Sequence, residues 1–432
     1  MQPLEWPEAR RAAHAAGLAA RPAPVDVRLA EADGLTLAAP LSPLTDLPAF
    51  PTSSVDGFAV RGTGPWKVVG RVLAGSVPTP LGEGEAVEIA TGAMLPAGTD
   101  QIIRVEDSQS LDGGLVTGQP RPVPDWREPG DEARAGEELL PAGTVVTPAV
   151  IGLAASCGYD TLAVTPAPTA AVVIFGDELL TSGPPGQGRV RDALGPQIPA
   201  WLVRLGARPV AGLDPRGPVA DTLEAHVEAL RDAIDRADLV CTTGGTMHGP
   251  VDHLHPALAS LGAQYLANSV AVRPGFPMLL ASVPREGRPP AFVAGLPGNP
   301  QSAVVALVSL VVPLLLGMAG RPLPALGRVR LTAAVRGRGP ATHLALVRLR
   351  PSPTGDGGAW LAEPLEHAGS AMLRGLAQAD GFAVITPGTD AAAGDEVPFV
   401  PLPVGATGWG ISAPVVGAEP ASNPLAHRTP RH

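Results

Sequence analysis

Downstream of Pro168 the apolar positions fall into an alternating order. Ala170 to Ile174 is a short β-branched run and Pro196 to Leu205 has helical spacing. Arg208 to Leu213 is extended, Thr222 to Arg236 is an amphipathic helix, and Leu239 to Thr243 is a second short apolar run. Strand and helix alternating in this way predict βαβ units on a parallel sheet. Ligands of such sheets bind beyond the carboxyl ends of the strands, so the Gly176-Asp177-Glu178 and Thr242-Thr243-Gly244-Gly245-Thr246 segments should share one crevice.

The pattern differs on either side. Residues 44 to 135 are dense in Pro and Gly, with short β-rich pieces such as Trp66 to Val72 and Gln101 to Val105, the pattern of a small inserted β module. Val25 to Leu37 and Gly143 to Ala155 flank it and can close together as a discontinuous parent domain. Beyond Pro324, the runs Val329 to Val335, Leu344 to Leu349 and Phe382 to Ile385 suggest a final β-rich domain. The expected division is therefore 1–43 with 136–167, 44–135, 168–324 and 325–404, followed by a loose tail over 405–432. This is an α/β fold with additional β domains.

Two apolar stretches need separate treatment. The run from Ala303 to Gly320 is long enough to span a membrane. Ser309 and Pro313 interrupt it and it follows a turn, so it is read as a helix buried in an α/β core. At the N-terminus, Arg10 and Arg11 precede an alanine-rich stretch whose weak hydrophobicity makes a poor export signal. An amphipathic helix with Leu4, Trp6 and Leu18 on its buried side is expected instead.

Composition narrows the function classes. At 432 residues the chain exceeds what one core holds, and 45% hydrophobic content keeps a sequence with 52 Gly and 51 Pro on the ordered, turn-rich side. A formal net charge of −10 disfavours a nucleic-acid or acidic-membrane partner, so an anionic ligand must be met by local donors. Lys67 is the only lysine, so Arg standing where Lys might be expected carries little weight. Cys157 and Cys241 are too few and too distant for a zinc site or a disulfide framework, which suits a reduced, cytoplasmic setting.

Candidate chemistry centres on two turns. Gly244-Gly245 after an apolar strand lets an anion approach the main chain, and Pro297-Gly298-Asn299-Pro300 places a capping Asn299 before a helix that starts at Pro300. Both turns should offer backbone N–H groups to a phosphate-bearing ligand. Asp177, Glu178 and Asp252 lie beside them, where carboxylates near a phosphate can hold a divalent metal or simply cap helices. His248, His253 and His255 surround Asp252, and solvated loop histidines are the commoner reading. No nucleophile elbow is present.

An ordered set of motifs extends these readings. SSVDGFA at Ser53, EIATGAMLPAGTDQIIRVED at Glu88, GDELL at Gly176, TTGG at Thr242 with Asp252 downstream, VAVRPGFP at Val270 and GLPGNPQSAVVAL at Gly295 resemble the molybdopterin molybdenumtransferase family, MoeA and the gephyrin E domain, over residues 1 to 404. The resemblance implies an elongated multidomain subunit with a MogA-like three-layer α/β domain, working as a homodimer whose site the partner's inserted domain completes. It implies a transferase that inserts molybdenum from molybdate into adenylylated molybdopterin with Mg2+ and releases AMP, with a molybdopterin adenylyltransferase as a possible partner.

By motif position it places Asp56, Thr91, Glu178, Asp221 and Asp252 in catalysis, with Asp214 competing for the place of Asp221. Glu178 and Asp252 would be the metal ligands. Thr243, Gly244, Gly245, Arg273, Pro297, Gly298, Asn299 and Pro300 would bind the pterin nucleotide. The chain departs from the family pattern at Ile174-Phe175 for Ser-Thr, Leu194 for Asn, Thr246-Met247-His248 for Val-Ser-Val, Phe276 for Lys and Arg374 for Ser. Its Gly130-Asp131-Glu132 stands for Gly-Glu-Asp. A molybdopterin adenylyltransferase, or a paralogue that binds the pterin nucleotide without inserting metal, remains an alternative.

Overall fold

A computed structural model describes residues 2–210, 216–246, 253–351 and 360–402. Met247, His248, Asp252, Asp214 and the tail lie outside the described residues. The chain forms two compact units. Among the described residues, the first comprises those up to Val25, Gly34–Ala38 and Val164 to Leu402, and the second comprises Asp26–Asp33 and Ala39–Ala163.

The first unit is built on a sheet of seven strands: β1 (Thr169–Phe175), β2 (Arg208–Pro209), β3 (Arg216–Val219), β4 (Leu239–Thr243), β5 (Gln264–Ala267), β6 (Leu279–Arg285) and β7 (Arg288–Leu296). Their order is β2-β1-β4-β7-β6-β5, with β3 also pairing with β1. The β1–β4 and β4–β7 pairs are parallel, as the alternation predicts, and β6 returns antiparallel beside β7. All but the first residue of β1 and all of β4 are buried, because helices cover both faces.

Five helices accompany this sheet: α1 (Trp6–Ala19), α2 (Leu194–Arg204), α3 (Leu223–Arg236), α4 (Leu254–Ser260) and α5 (Pro300–Met318). Period-two alternation along β1 sorts them into layers. Ala170, Val172 and Ile174 pack with Trp6, Ile198, Leu202 and the α5 side chains, whereas Ala171, Val173 and Phe175 pack with Leu230, Ile234, Leu254 and Leu258. The result is three layers.

Helix α5 is long and apolar enough to cross a membrane by composition, yet its whole window is buried inside the fold. Its α-helical pitch is interrupted around Ser309 without ending the helix. A π turn spans Leu307–Val311, where Trp6 Nε1 donates to Ser309 Oγ at 2.8 Å and Arg10 donates to the Val308 carbonyl at 2.6 Å. Such bulges free backbone groups that need outside partners, and α1 supplies them. Burial lowers the Arg10 guanidinium to about 10, with the Trp6 ring 4.9 Å away. The α1 face is Trp6, Ala9, Arg10, Ala13 and Gly17, so Leu18, expected inside, is 49% exposed. Bare Gly17 is required there, since a Cβ would meet the Leu314 carbonyl oxygen at 2.1 Å.

C-terminal to α5, five strands close a ring: Gly327–Leu331, Trp360–Pro364, Thr342–Pro351, Gly381–Ile385 and Glu396–Pro401. Val329, Val347, Ala383 and Phe399 fill its interior. Closure removes the exposed edges that an open sheet of this size would carry.

The second unit contains a six-stranded sheet in the order Gln101–Arg104, Gly57–Val60, Glu85–Ile89, Trp66–Val72, Leu115–Gly118 and Ser108–Leu111. Ala59, Val87, Ile89 and Ile102 form one side of its core, and Val60, Trp66, Ile103 and Val116 the other. A helix over Pro148–Ser156, capped by the Thr147 side chain, belongs to the same unit.

Candidate functional site

Three loops leave the first unit's sheet side by side. The pairing of Ile174 with Thr243 and of Thr243 with Leu296 brings the carboxyl ends of β1, β4 and β7 level. Gly176 has φ +133°, Gly244 +83° and Gly245 +65°, conformations that side chains with a Cβ rarely adopt. The two turns singled out in the sequence are in contact, because a Cβ on Gly298 would lie 3.9 Å from the Gly244 Cα and a Cβ on Gly244 would lie 3.4 Å from the Phe175 carbonyl oxygen. Thr243 and Pro297 are buried and set the turns, while Gly298 and Asn299 are exposed.

The donor set differs from the sequence expectation. Helix α5 does begin at Pro300, but the Asn299 side chain makes no capping bond. The Ser370 carbonyl accepts instead from Gln301 N at 3.0 Å and from Ser302 N at 3.4 Å, and Asn299 Nδ2 donates to Ser370 Oγ at 3.4 Å. Those helix N–H groups are thereby taken, as is Gly244 N, which donates to the Leu296 carbonyl at 3.0 Å. The N–H groups of Gly245, Thr246, Gly298 and Asn299 have no acceptor among the described residues. Unpaired main-chain donors at adjoining turns make an anion nest. Ser370 was not singled out by sequence reasoning, which looked for the family serine at Arg374, an exposed residue four positions further on. The Gly369-Ser370 dipeptide was the available signal.

Carboxylates line the first loop. Glu178 folds back over Gly176, where a Cβ would meet its Oε2 at 2.8 Å. Asp177 N donates to Asp221 Oδ2 at 3.2 Å, so Asp221, just before the N-cap Thr222 of α3, joins the Gly176–Glu178 loop. Asp177 and Glu178 form a turn that leads into the two-residue strand Leu179–Leu180, so neither caps a helix. Leu194 begins α2 and is buried. Phe175 stacks on His226 with ring centroids 3.8 Å apart and an 18° interplanar angle. His226 lies 3.6 Å from Asp221 Oδ1 through Nε2, and burial pushes its pKa down despite the pull of Asp221. It too was missed, because only the tertiary fold joins α3 to the end of β1.

The Arg273-Pro274-Gly275-Phe276 turn approaches α5 from another side. Gly275 has φ +100°, and a Cβ there would lie 3.1 Å from the Ser302 carbonyl oxygen. The Arg273 guanidinium sits 4.8 Å over the Phe276 ring. Aromatic stacking thus occupies the position where the family pattern has a second cation.

In the second unit, Thr91 donates to Asp56 Oδ1 through N at 2.7 Å and Oγ1 at 3.0 Å. These bonds hold the exposed Asp56 carboxyl below its ordinary value. His253 precedes α4, and His255 Nδ1 is 2.8 Å from Tyr265 Oη. Among the described residues no three acidic, His or Cys side chains form a metal cluster. Cys241 is no nucleophile, since complete burial raises its thiol to about 12.

This geometry defines a multidomain α/β protein with a glycine-lined, acid-flanked anion crevice at the ends of parallel strands. Three family profiles match the chain in order: MoeA N-terminal region (domain I and II) at residues 4–158, "Probable molybdopterin binding domain" at 171–317, and MoeA C-terminal region (domain IV) at 328–402. The molybdopterin molybdenumtransferase of a Nostoc species is 33% identical over 308 residues, covering 68% of this chain and 69% of that protein. The Staphylococcus aureus (strain COL) protein of the same name is 31% identical over 288 residues, 64% of this chain and 67% of that one. A solved molybdopterin biosynthesis MoeA protein from Pyrococcus horikosii superposes with a TM-score of 0.75 at 26% identity, over 94% of this chain and 100% of that one. The chain belongs to the molybdopterin molybdenumtransferase family.

Proposed function

We propose that this protein acts in molybdenum cofactor biosynthesis by inserting molybdenum from molybdate into adenylylated molybdopterin with release of AMP. One observation carries the reading: N–H groups of Gly245, Thr246, Gly298 and Asn299, without an acceptor among the described residues, adjoin the carboxylates of Glu178 and Asp221 at the ends of β1, β4 and β7. The nest suits the phosphates of the pterin nucleotide, and the exposed Arg273 adds a cation on the α5 side.

The donor chemistry fits Mg2+. Glu178 offers hard carboxylate oxygens beside bare Gly176, and Asp252 would join it. When bound, Mg2+ would screen the phosphate charge and polarise the phosphoanhydride. The protein's own groups do the rest: the N–H nest orients the leaving AMP phosphate, and the Asp221 carboxylate takes the protons that the pterin's dithiol gives up as Mo–S bonds form and passes them to the oxygens that molybdate loses as water.

The same reading includes a cytoplasmic homodimer in which Asp56 of one copy completes the other copy's crevice. It also keeps the domain limits given above and a molybdopterin adenylyltransferase supplying the substrate. Mixing inactive Asp56→Ala and Asp252→Asn proteins tests this arrangement, because each mixed dimer holds one intact site and activity returns to about a quarter of wild type. Asp252→Asn alone leaves the fold intact and abolishes AMP release, since only a site carboxylate is lost. Wild-type turnover in that variant contradicts the assignment.

A second reading, a pterin-nucleotide binder without metal insertion, is favoured by one feature. Phe276 under Arg273 removes a cation from the anion site. Retention of nucleotide without AMP release in the presence of molybdate and Mg2+ identifies that case.

A further inference from the structure

We propose that His226 is a positioning residue for Asp221, its Nε2–H closing on Asp221 Oδ1 when substrate fills the crevice and fixing the acid against the Gly176–Glu178 loop. The inference rests on the role given to Asp221 above. It deepens that role by assigning a residue that the family motifs do not include.

Backbone geometry sets up the contact. His226 N donates to the Thr222 carbonyl at 3.1 Å, so the first turn of α3 places the imidazole one turn beyond Asp221, on the face that packs against β1. There the ring lies flat on Phe175, whose backbone leads directly into Gly176. Stacking fixes the imidazole plane, and Nε2 faces Asp221 Oδ1 at 3.6 Å while Asp221 Oδ2 accepts Asp177 N–H at 3.2 Å. Asp221 is thus approached from both sides. One contact is made and the other falls just short of a hydrogen bond.

Packing alone leaves part of this unexplained. His226 is 1% exposed, and neither ring nitrogen has a hydrogen-bond partner among the described residues. An apolar side chain would fill the same space against Phe175 without stranding two polar atoms, and a stranded buried polar group calls for a functional account. Catalytic hydrogen bonds are often long before substrate binds and shorten in the complex, which matches a gap of this size.

The groups facing the ring are Asp221 on its own element, Asp177 on the loop after β1, and His253 before α4, edge-on at 5.5 Å. Burial favours the neutral ring, in which the Nε2–H tautomer donates to the Asp221 carboxylate.

Two variants of the full-length protein test the proposal with adenylylated molybdopterin, molybdate and Mg2+. His226→Phe keeps a ring on Phe175 and removes the donor, whereas His226→Gln restores an N–H. The expected result for His226→Phe is a kcat for AMP release lowered about tenfold with an unchanged KM for the pterin nucleotide, and His226→Gln recovers most of the loss. A wild-type kcat in His226→Phe, or no recovery in His226→Gln, overturns the proposal.

Nitrogen-15 NMR of the imidazoles keeps this inference separable from the proposed function. The His226 titration midpoint falls in Asp221→Asn if the two groups are coupled, whether or not the wild-type protein turns over. An unmoved midpoint overturns the contact, while absence of wild-type AMP release overturns the functional reading instead.

Discussion

Two walls of the crevice follow different rules. One is main chain: Gly244, Gly245 and Gly298 present bare backbone at adjoining turns, and no side chain stands between the Gly298 and Gly244 Cα atoms. The other is side chain: Phe175 on His226, and Arg273 on Phe276. Gly244, Gly245 and Gly298 keep the family's residues, whereas Thr246 beside them and Phe175 and Phe276 on the side-chain wall depart from the family pattern. The turn at Gly244 and Gly245 tolerates almost no change of residue, because φ of +83° and +65° strains a residue with a Cβ. A side-chain wall can be rebuilt so long as charge and shape are compensated.

This contrast sets the order of expected effects. The largest falls on the backbone wall. Gly244→Val forces a β-branched residue to φ +83° and crowds the Phe175 carbonyl, so affinity for the pterin nucleotide falls about a hundredfold by titration calorimetry. Retained affinity would mean that the nest is not where the phosphate sits. On the other wall, Phe276→Lys adds a cation beside Arg273 at the cost of their stacking, and affinity rises only about three- to tenfold, more at low salt. If binding at low salt is unchanged, Phe276 does not line the ligand site.

The smallest effect lies in the second unit. Asp56 is depressed by Thr91, so its contribution to stability is present above the ordinary carboxylate value and is lost as pH falls through the depressed one. Thr91→Ala removes the hydroxyl donor and leaves the backbone donor, so the Asp56 carboxyl titrates at higher pH and the acid loss begins earlier. Carbon-13 NMR of that carboxyl reads the change directly. A midpoint that stays put would show the hydroxyl contact to be unimportant.

What could be read from the sequence follows the same division. The Leu239 to Thr243 strand, the α3 helix and the glycine turns were legible because period, N-cap and φ requirements act locally. Asn299 shows where local reading ends. Its position before Pro300 marks the helix start correctly, but the cap is the Ser370 carbonyl, supplied from 71 residues away in the chain. His226 was invisible for the same reason, since α3 spacing marks it as buried but says nothing of Phe175 or Asp221. Leu18 was assigned to the wrong face because glycine and alanine, not leucine, permit the close approach of α1 to α5.

The central claim is that this crevice inserts metal as well as binding the pterin nucleotide. Incubating the purified protein with adenylylated molybdopterin, molybdate and Mg2+, then measuring AMP by chromatography and pterin-bound molybdenum by mass spectrometry, tests it most directly. The account predicts stoichiometric AMP and metal-loaded cofactor, both dependent on molybdate. Bound nucleotide that persists intact, with no AMP and no pterin-bound molybdenum, would contradict it.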